Sequence, residues 1–178
     1  PQLVSLGFLK YLEILKTKGV DRSIIALSQL PEKKRACSHL VVIGKKPGSS
    51  LLAQVKKLKL SQQVHFVGQK ESPMPYLLAA DLFIHPARKE AGGIVLLEAI
   101  VAGLPIITTS ICGYAAIVKK SKAGKVLPPP FDQMKLDGAL EKILSRKVLN
   151  IYKKNIQAFS NTLEEGQATR YAAHLIQS

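Results

Sequence analysis

Short apolar runs recur along the chain at residues 3–6, 40–43, 64–67, 82–85 and 106–109, each bounded by polar, Gly or Pro residues. Runs of this length, rich in β-branched and large aliphatic residues, predict strands buried on both faces. The segments between them carry helical spacing. Residues 21–30 open with Asp21 as the expected N-cap, 49–60 place Leu51, Leu52, Val55 and Leu58 on one face, 75–80 form a short helix, and 94–102 a longer one. Strand and helix therefore alternate, β-α-β-α-β-α-β-α-β, which predicts an α/β fold: a doubly wound parallel sheet with right-handed crossovers and helices on both faces.

Residues 92–118 contain a single charge, Glu98, and exceed the length of a membrane span. Gly103-Leu104-Pro105 breaks that stretch into a helix, a turn and the β-branched strand at 106–109, so it is read as core. After residues 123–127, Pro128-Pro129-Pro130 closes the sheet region. Helices are expected at 132–144, 148–160 and 163–176, packing on the sheet edges through residues such as Leu136, Leu140, Ile143 and Leu144. The division expected is one domain over residues 1–160 and a C-terminal helix in 161–178 that packs on it or leaves it.

Charge adds a partner to this picture. Of 178 residues, 26 are Lys or Arg against 12 Asp or Glu, a net +14, and Arg supplies only Arg22, Arg35, Arg88, Arg146 and Arg170. Such a field attracts anionic small molecules, anionic membrane surfaces or nucleic acid. A Lys excess argues against sequence-reading nucleic-acid binding, where the planar Arg fork is favoured. Cys37 and Cys112 stand alone, without metal-ligand or disulfide spacing, and His39, His65, His85 and His174 are scattered. No metal site or cofactor is expected, and the four His are read as structural. The chain opens without an initiator Met, a basic leader or a cleavage site, and is read as a piece of a longer cytoplasmic protein.

In doubly wound sheets ligands bind beyond the carboxyl ends of the strands. Four polar or Gly-rich edges are expected to share that rim: Gly7 through Lys18-Gly19, Gly44-Lys45-Lys46, Gly68-Gln69-Lys70, and residues 85–93. The last is the densest. Gly92 and Gly93 stand where the 94–102 helix begins, so backbone can approach a ligand and the free N–H groups of the first turn, at the positive end of the helix dipole, face an anion. Glu90 precedes that turn and Glu98 follows it, leaving a phosphate between two carboxylates able to hold sugar hydroxyls.

At these residues the sequence resembles the C-terminal, nucleotide-sugar-binding half of the GT-B retaining glycosyltransferases, whose motif is E-x7-E followed by EA-x-A-x-G-x-P. Here the motif is Glu90 to Glu98, then Glu98-Ala99-Ile100-Val101-Ala102-Gly103-Leu104-Pro105. Lys18-Gly19-Val20-Asp21-Arg22-Ser23-Ile24, Val64-His65-Phe66, Ala79-Ala80-Asp81-Leu82 and His85-Pro86-Ala87 extend the likeness over nearly the whole chain. Within the family these segments are similar to those of lipopolysaccharide-core glucosyltransferases.

The resemblance implies a Rossmann-like domain, one half of a GT-B enzyme. It implies that Glu98 bonds the ribose of a UDP-sugar and that Glu90, the catalytic candidate, contacts the transferred hexose. By the same likeness, amides around Gly92, Gly93, Ile94 and Val95 hold the phosphates, Lys18 with Gly19 neutralises them, and Gly68, Gln69 and Lys70 cradle the uracil. The implied reaction moves a hexose, glucose first, from a UDP-sugar to a lipopolysaccharide-core acceptor with retained configuration. The partner N-terminal GT-B half would supply the acceptor site, and the inner face of the plasma membrane would be the place of work. The family Arg expected soon after the first strand is replaced by the apolar insertion at 8–17, leaving Lys10 or Lys16 as second cation. Two other readings stand beside this one: a GT-B nucleotide-sugar epimerase, and a non-catalytic basic module docking on anionic membrane or nucleic acid.

Overall fold

The computed structural model describes residues 2–7 and 14–162. Its elements begin with β1 (Gln2–Gly7), α1 (Ile14–Thr17), α2 (Val20–Gln29), α3 (Glu32–Ala36), β2 (His39–Gly44), α4 (Ser49–Lys57), β3 (Val64–Gly68) and α5 (Met74–Leu78). They continue through β4 (Leu82–His85), α6 (Ile94–Val101), β5 (Ile106–Thr109), α7 (Ala115–Lys120), β6 (Gly124–Leu127), α8 (Gln133–Ile143) and α9 (Arg146–Thr162). All strand pairings are parallel, and the strands lie in the order β3-β2-β1-β4-β5-β6. The sheet is doubly wound, as the alternation predicts, and its order reverses between β1 and β4.

Strand side chains alternate between two helical layers, which is why β4 and β5 are buried at every position. Leu82, Ile84 and Ile107 pack with Ile24 and Leu27 of α2, Leu51 and Val55 of α4, and Leu136 and Leu140 of α8. Phe83 and Ile106 face the other way, onto Leu77 of α5, Leu96 and Ala99 of α6, and Val118 of α7. Each fully buried Leu or Ile contributes about 1.5–3 kcal/mol. Helix α9 joins the layers, with Tyr152 against the first cluster and Ile156 inside the second.

Several local expectations change. A sixth strand, β6, forms at the edge, where Gly124 lies so near β5 that a Cβ there would stand 1.8 Å from the Ile106 carbonyl oxygen. The N-cap of α2 is Gly19, at φ 80, and not Asp21, which is the second helical residue and spends its carboxylate on Arg88. Asp132 does cap α8, accepting from the amides of Met134 and Lys135 at 2.9 and 3.4 Å. The stretch at 92–118 is α6, a turn at Gly103 with φ 72, β5 and the start of α7. No described helix is long and apolar enough to cross a membrane. The helix expected at 163–176 lies outside the described residues, as do Lys10 and His174.

Candidate functional site

The carboxyl ends of β1 and β4 adjoin at the reversal point, and two loops meet above them. One is the turn of Lys18 and Gly19 that leads into α2; the other runs from Pro86 to Gly93 and leads into α6. Gly19 makes the meeting close. Its left-handed backbone sits under Pro86, and a Cβ would stand 2.1 Å from the Pro86 carbonyl oxygen.

That approach brings the Lys18 ammonium onto Oε2 of Glu90 in an ion pair, with side chains only 9% and 12% exposed. Nε2 of His85, the last residue of β4, lies 3.3 Å from the same Oε2. Burial alone would raise the Glu90 pKa, but His85 and Lys18 outweigh it and hold the carboxyl down to about 2. His85 is fully buried and stacks on Phe83 at 5.8 Å. Burial would lower the pKa of its ring; the nearby Glu90 and Cys112 side chains outweigh it and raise it, while Nδ1 has no hydrogen-bond partner. The Cys112 thiol, which burial would push up, is lowered by His85 and by the Thr108 hydroxyl, which donates to Sγ at 3.3 Å. Lys18, Glu90, His85 and Cys112 thus form one electrostatic chain under the rim.

Beside it, Gly93 caps α6 in the left-handed region, at φ 84, with Glu90 and Cys112 packed 3.3 and 3.4 Å from where a Cβ would stand. Gly92 meets open space, so backbone is accessible there. The turn is held from behind by the Tyr114 amide, which donates to the Gly92 carbonyl at 3.1 Å. Ile94 and Val95 are the first two residues of α6, so their N–H groups have no acceptor within the helix. One turn into α6, Glu98 has a buried Oε2 with no hydrogen-bond partner, and burial raises its pKa. A buried acceptor left unpaired is costly, and a hydroxyl donor on a bound ligand would satisfy it.

Gly68, Gln69 and Lys70 leave β3 at the same rim, three strands from β4, or about 14 Å at ordinary strand spacing. Gly68 is left-handed, at φ 76, with open space around it, and Lys70 lies 5.7 Å from the centre of the Tyr76 ring. The structure therefore joins Lys18, Gly19, Glu90 and Gly93 in contact, sets Gly92, Ile94, Val95 and Glu98 around them, and leaves Gly68, Gln69 and Lys70 across the rim. Lys16 is not brought in by its ammonium; its carbonyl accepts from Arg88.

His85, read with the other three His as structural, is fully buried and lies against Glu90. The alternation along β4 that turns Phe83 inward turns His85 the same way, onto Glu90. Its place as the last strand residue, next to the Gly-rich loop, was the available signal. Cys112 carried none, because its contact comes from the neighbouring strand β5 and the turn after it. His39 and His65 lie away from the site, with ring nitrogens 3.0 Å apart across β2 and β3. Among the described residues no group of three or more His, Cys, Asp or Glu is arranged to hold a metal. Two open grooves, one of about 520 Å³ between α8 and α9 and one of about 430 Å³ between α6 and α9, contain neither Glu90 nor Glu98.

The family model of the glycosyl transferases group 1 matches residues 7–160. The lipopolysaccharide glucosyltransferase WaaG of Escherichia coli is 40% identical over 160 residues, which are 89% of this chain and 43% of that protein. A crystal structure of WaaG superposes with a TM-score of 0.84 at 37% identity, over 98% of this chain and 46% of that one. Anabaena HepE, solved with UDP and glucose, shares the fold at a TM-score of 0.75 and 21% identity, over 99% of this chain and 48% of HepE. The chain thus spans about half the length of the relatives it matches.

Proposed function

The chain belongs to the group 1 glycosyl transferases, and from that premise we propose that it forms the donor-binding half of an enzyme that transfers a hexose from a UDP-sugar to a lipopolysaccharide-core hydroxyl. The proposed hexose is glucose, as the name of WaaG suggests, and the proposed outcome is retained configuration. The observation that carries this reading is the Lys18–Glu90–His85 cluster set against the Gly92-Gly93 start of α6, with the unpaired oxygen of Glu98 one turn beyond.

The chemistry follows from charge. As the bond between sugar and diphosphate breaks, negative charge builds on the leaving UDP. The N–H groups of Ile94 and Val95, the positive end of α6 and the Lys18 ammonium would receive it, and a preorganised, partly buried set of donors is worth more than the same groups in water. Without donor, Lys18 rests on Glu90; a diphosphate at Gly92 would compete for the ammonium, and His85 would remain as the partner of Glu90. The Glu90 carboxylate, held ionised, would accept hydroxyls of the hexose, and Glu98 those of the ribose. Gly68, Gln69 and Lys70 would receive the uracil. A partner half would supply the acceptor site, and work at the cytoplasmic face of the plasma membrane fits a lipid-linked acceptor and the basic surface.

Titration calorimetry with UDP tests the assignment. Lys18→Ala and Glu98→Ala are expected to weaken UDP binding about 10-fold or more, the loss typical of a charge-assisted contact. Unchanged affinity in both would remove the site from where it is placed here. Glu98→Gln is also expected to raise Tm by about 2 °C, since it takes an unpaired ionisable group out of a buried position.

A further inference from the structure

The two loops that build the site are separated by about seventy residues in sequence, and neither is regular backbone, so side-chain contacts reaching from one to the other must fix their separation. The contacts that do so converge on Arg88, a residue with no part in the donor site described above. Its backbone N–H donates to the Thr17 carbonyl at 2.7 Å. Its guanidinium takes the Asp21 carboxylate with both arms, at 2.6 and 2.7 Å, and donates to the Lys16 carbonyl at 2.6 Å. Arg22 returns the connection, donating to the carbonyls of Pro86 and Ala87 at 2.9 and 3.3 Å while its guanidinium lies 3.5 Å over the Phe131 ring. Lys18 and Glu90 lie inside this frame, Lys18 between Lys16 and Asp21 in the chain and Glu90 two residues beyond Arg88.

We propose that Arg88 is a positioning residue for the donor site: by holding Asp21 and the Lys16 carbonyl at once, it sets the distance between the Lys18 turn and the Glu90–Gly93 loop. The inference rests on the reading of this rim as a UDP-sugar site. Its chemistry demands Arg. A planar fork satisfies a carboxylate with two parallel bonds and leaves further N–H groups for a carbonyl, whereas the Lys ammonium is a point charge that cannot reproduce the arrangement. Arg88 itself does not touch the donor; its effect passes through the placing of Lys18 and Glu90.

The test measures two quantities on the full chain and on Arg88→Ala, Arg88→Lys and Asp21→Asn. The first is UDP affinity by calorimetry at a temperature well below every Tm. The second is hydrogen exchange, without ligand, of the amides in residues 86–93 against those of β4 and β5. The expected result is UDP binding weakened about 10-fold in Arg88→Ala and nearly as much in Arg88→Lys, with faster exchange confined to the loop, since small misplacements of binding groups have effects of this order. A lowered Tm with unchanged UDP affinity of the folded protein would overturn the proposal, leaving Arg88 as a stabilising contact only. If the unmutated chain binds no UDP, the functional reading fails. Exchange in the loop then still decides whether Arg88 holds it, unchanged rates meaning that it does not. Should Arg88→Ala fail to fold, Arg88→Lys and Asp21→Asn answer the same question.

Discussion

Burial and charge pull Glu90 in opposite directions, and charge prevails. The sign of the consequence differs for its two ends. Because the folded Glu90 carboxyl titrates near 2, below its ordinary 4.5, its interactions stabilise the fold fully above about pH 4.5 and are lost as pH falls toward 2. His85 is raised instead, so its contribution is complete below its ordinary 6.5 and is lost as pH rises through the higher folded value. Stability from this cluster should therefore be greatest between about pH 4.5 and 6.5. Melting curves across pH 2–9 are expected to show Glu90→Gln flattening the acid limb and His85→Asn the alkaline limb. A variant whose Tm keeps the full pH dependence of the unmutated chain would show that its residue is not coupled as described.

Turns and helix starts decide the site at the scale of elements. Gly19 and Gly92 make the contrast. A Cβ at Gly19 meets the Pro86 carbonyl at 2.1 Å from a left-handed backbone, while one at Gly92 meets nothing within 4 Å. Gly19→Ala is expected to destabilise the chain by about 2 kcal/mol or more, lowering Tm by roughly 4–8 °C. Gly92→Ala should leave Tm within about 2 °C and weaken UDP binding, because the methyl group would stand where the ligand approaches; thermal melts and UDP titrations of both distinguish these outcomes. The same scale shows what was legible in the sequence. The strand runs stood out because, among those with described side chains, β4 and β5 are buried at every position. β6 did not, since Lys125 in its middle points to solvent at the sheet edge. The short helices α1, α3 and α7 are too brief to show a period. Glu90, Glu98 and the double glycine were legible because they sit together in sequence. The roles of His85, Cys112 and the Asp21–Arg88 pair were not, because each depends on a neighbour brought close by the parallel crossover.

For the whole molecule, the parallel order β3-β2-β1-β4-β5-β6 turns four distant segments into one rim, and the net +14 sets the field in which that rim works. Lys near an anionic membrane surface adds about 1 kcal/mol each, screened over roughly 8–10 Å at ordinary salt. Sedimentation with vesicles should therefore show the chain bound to membranes of mixed neutral and anionic lipid at low salt, and released at about 0.5 M salt. Equal binding to purely neutral vesicles would exclude a charge-driven surface. The proposed donor site needs no membrane and no second half to be tested. Calorimetric titration of the unmutated chain with UDP, UDP-glucose and GDP measures it directly: binding of both UDP ligands in preference to GDP is the predicted result, and absence of binding by UDP and UDP-glucose would contradict the account.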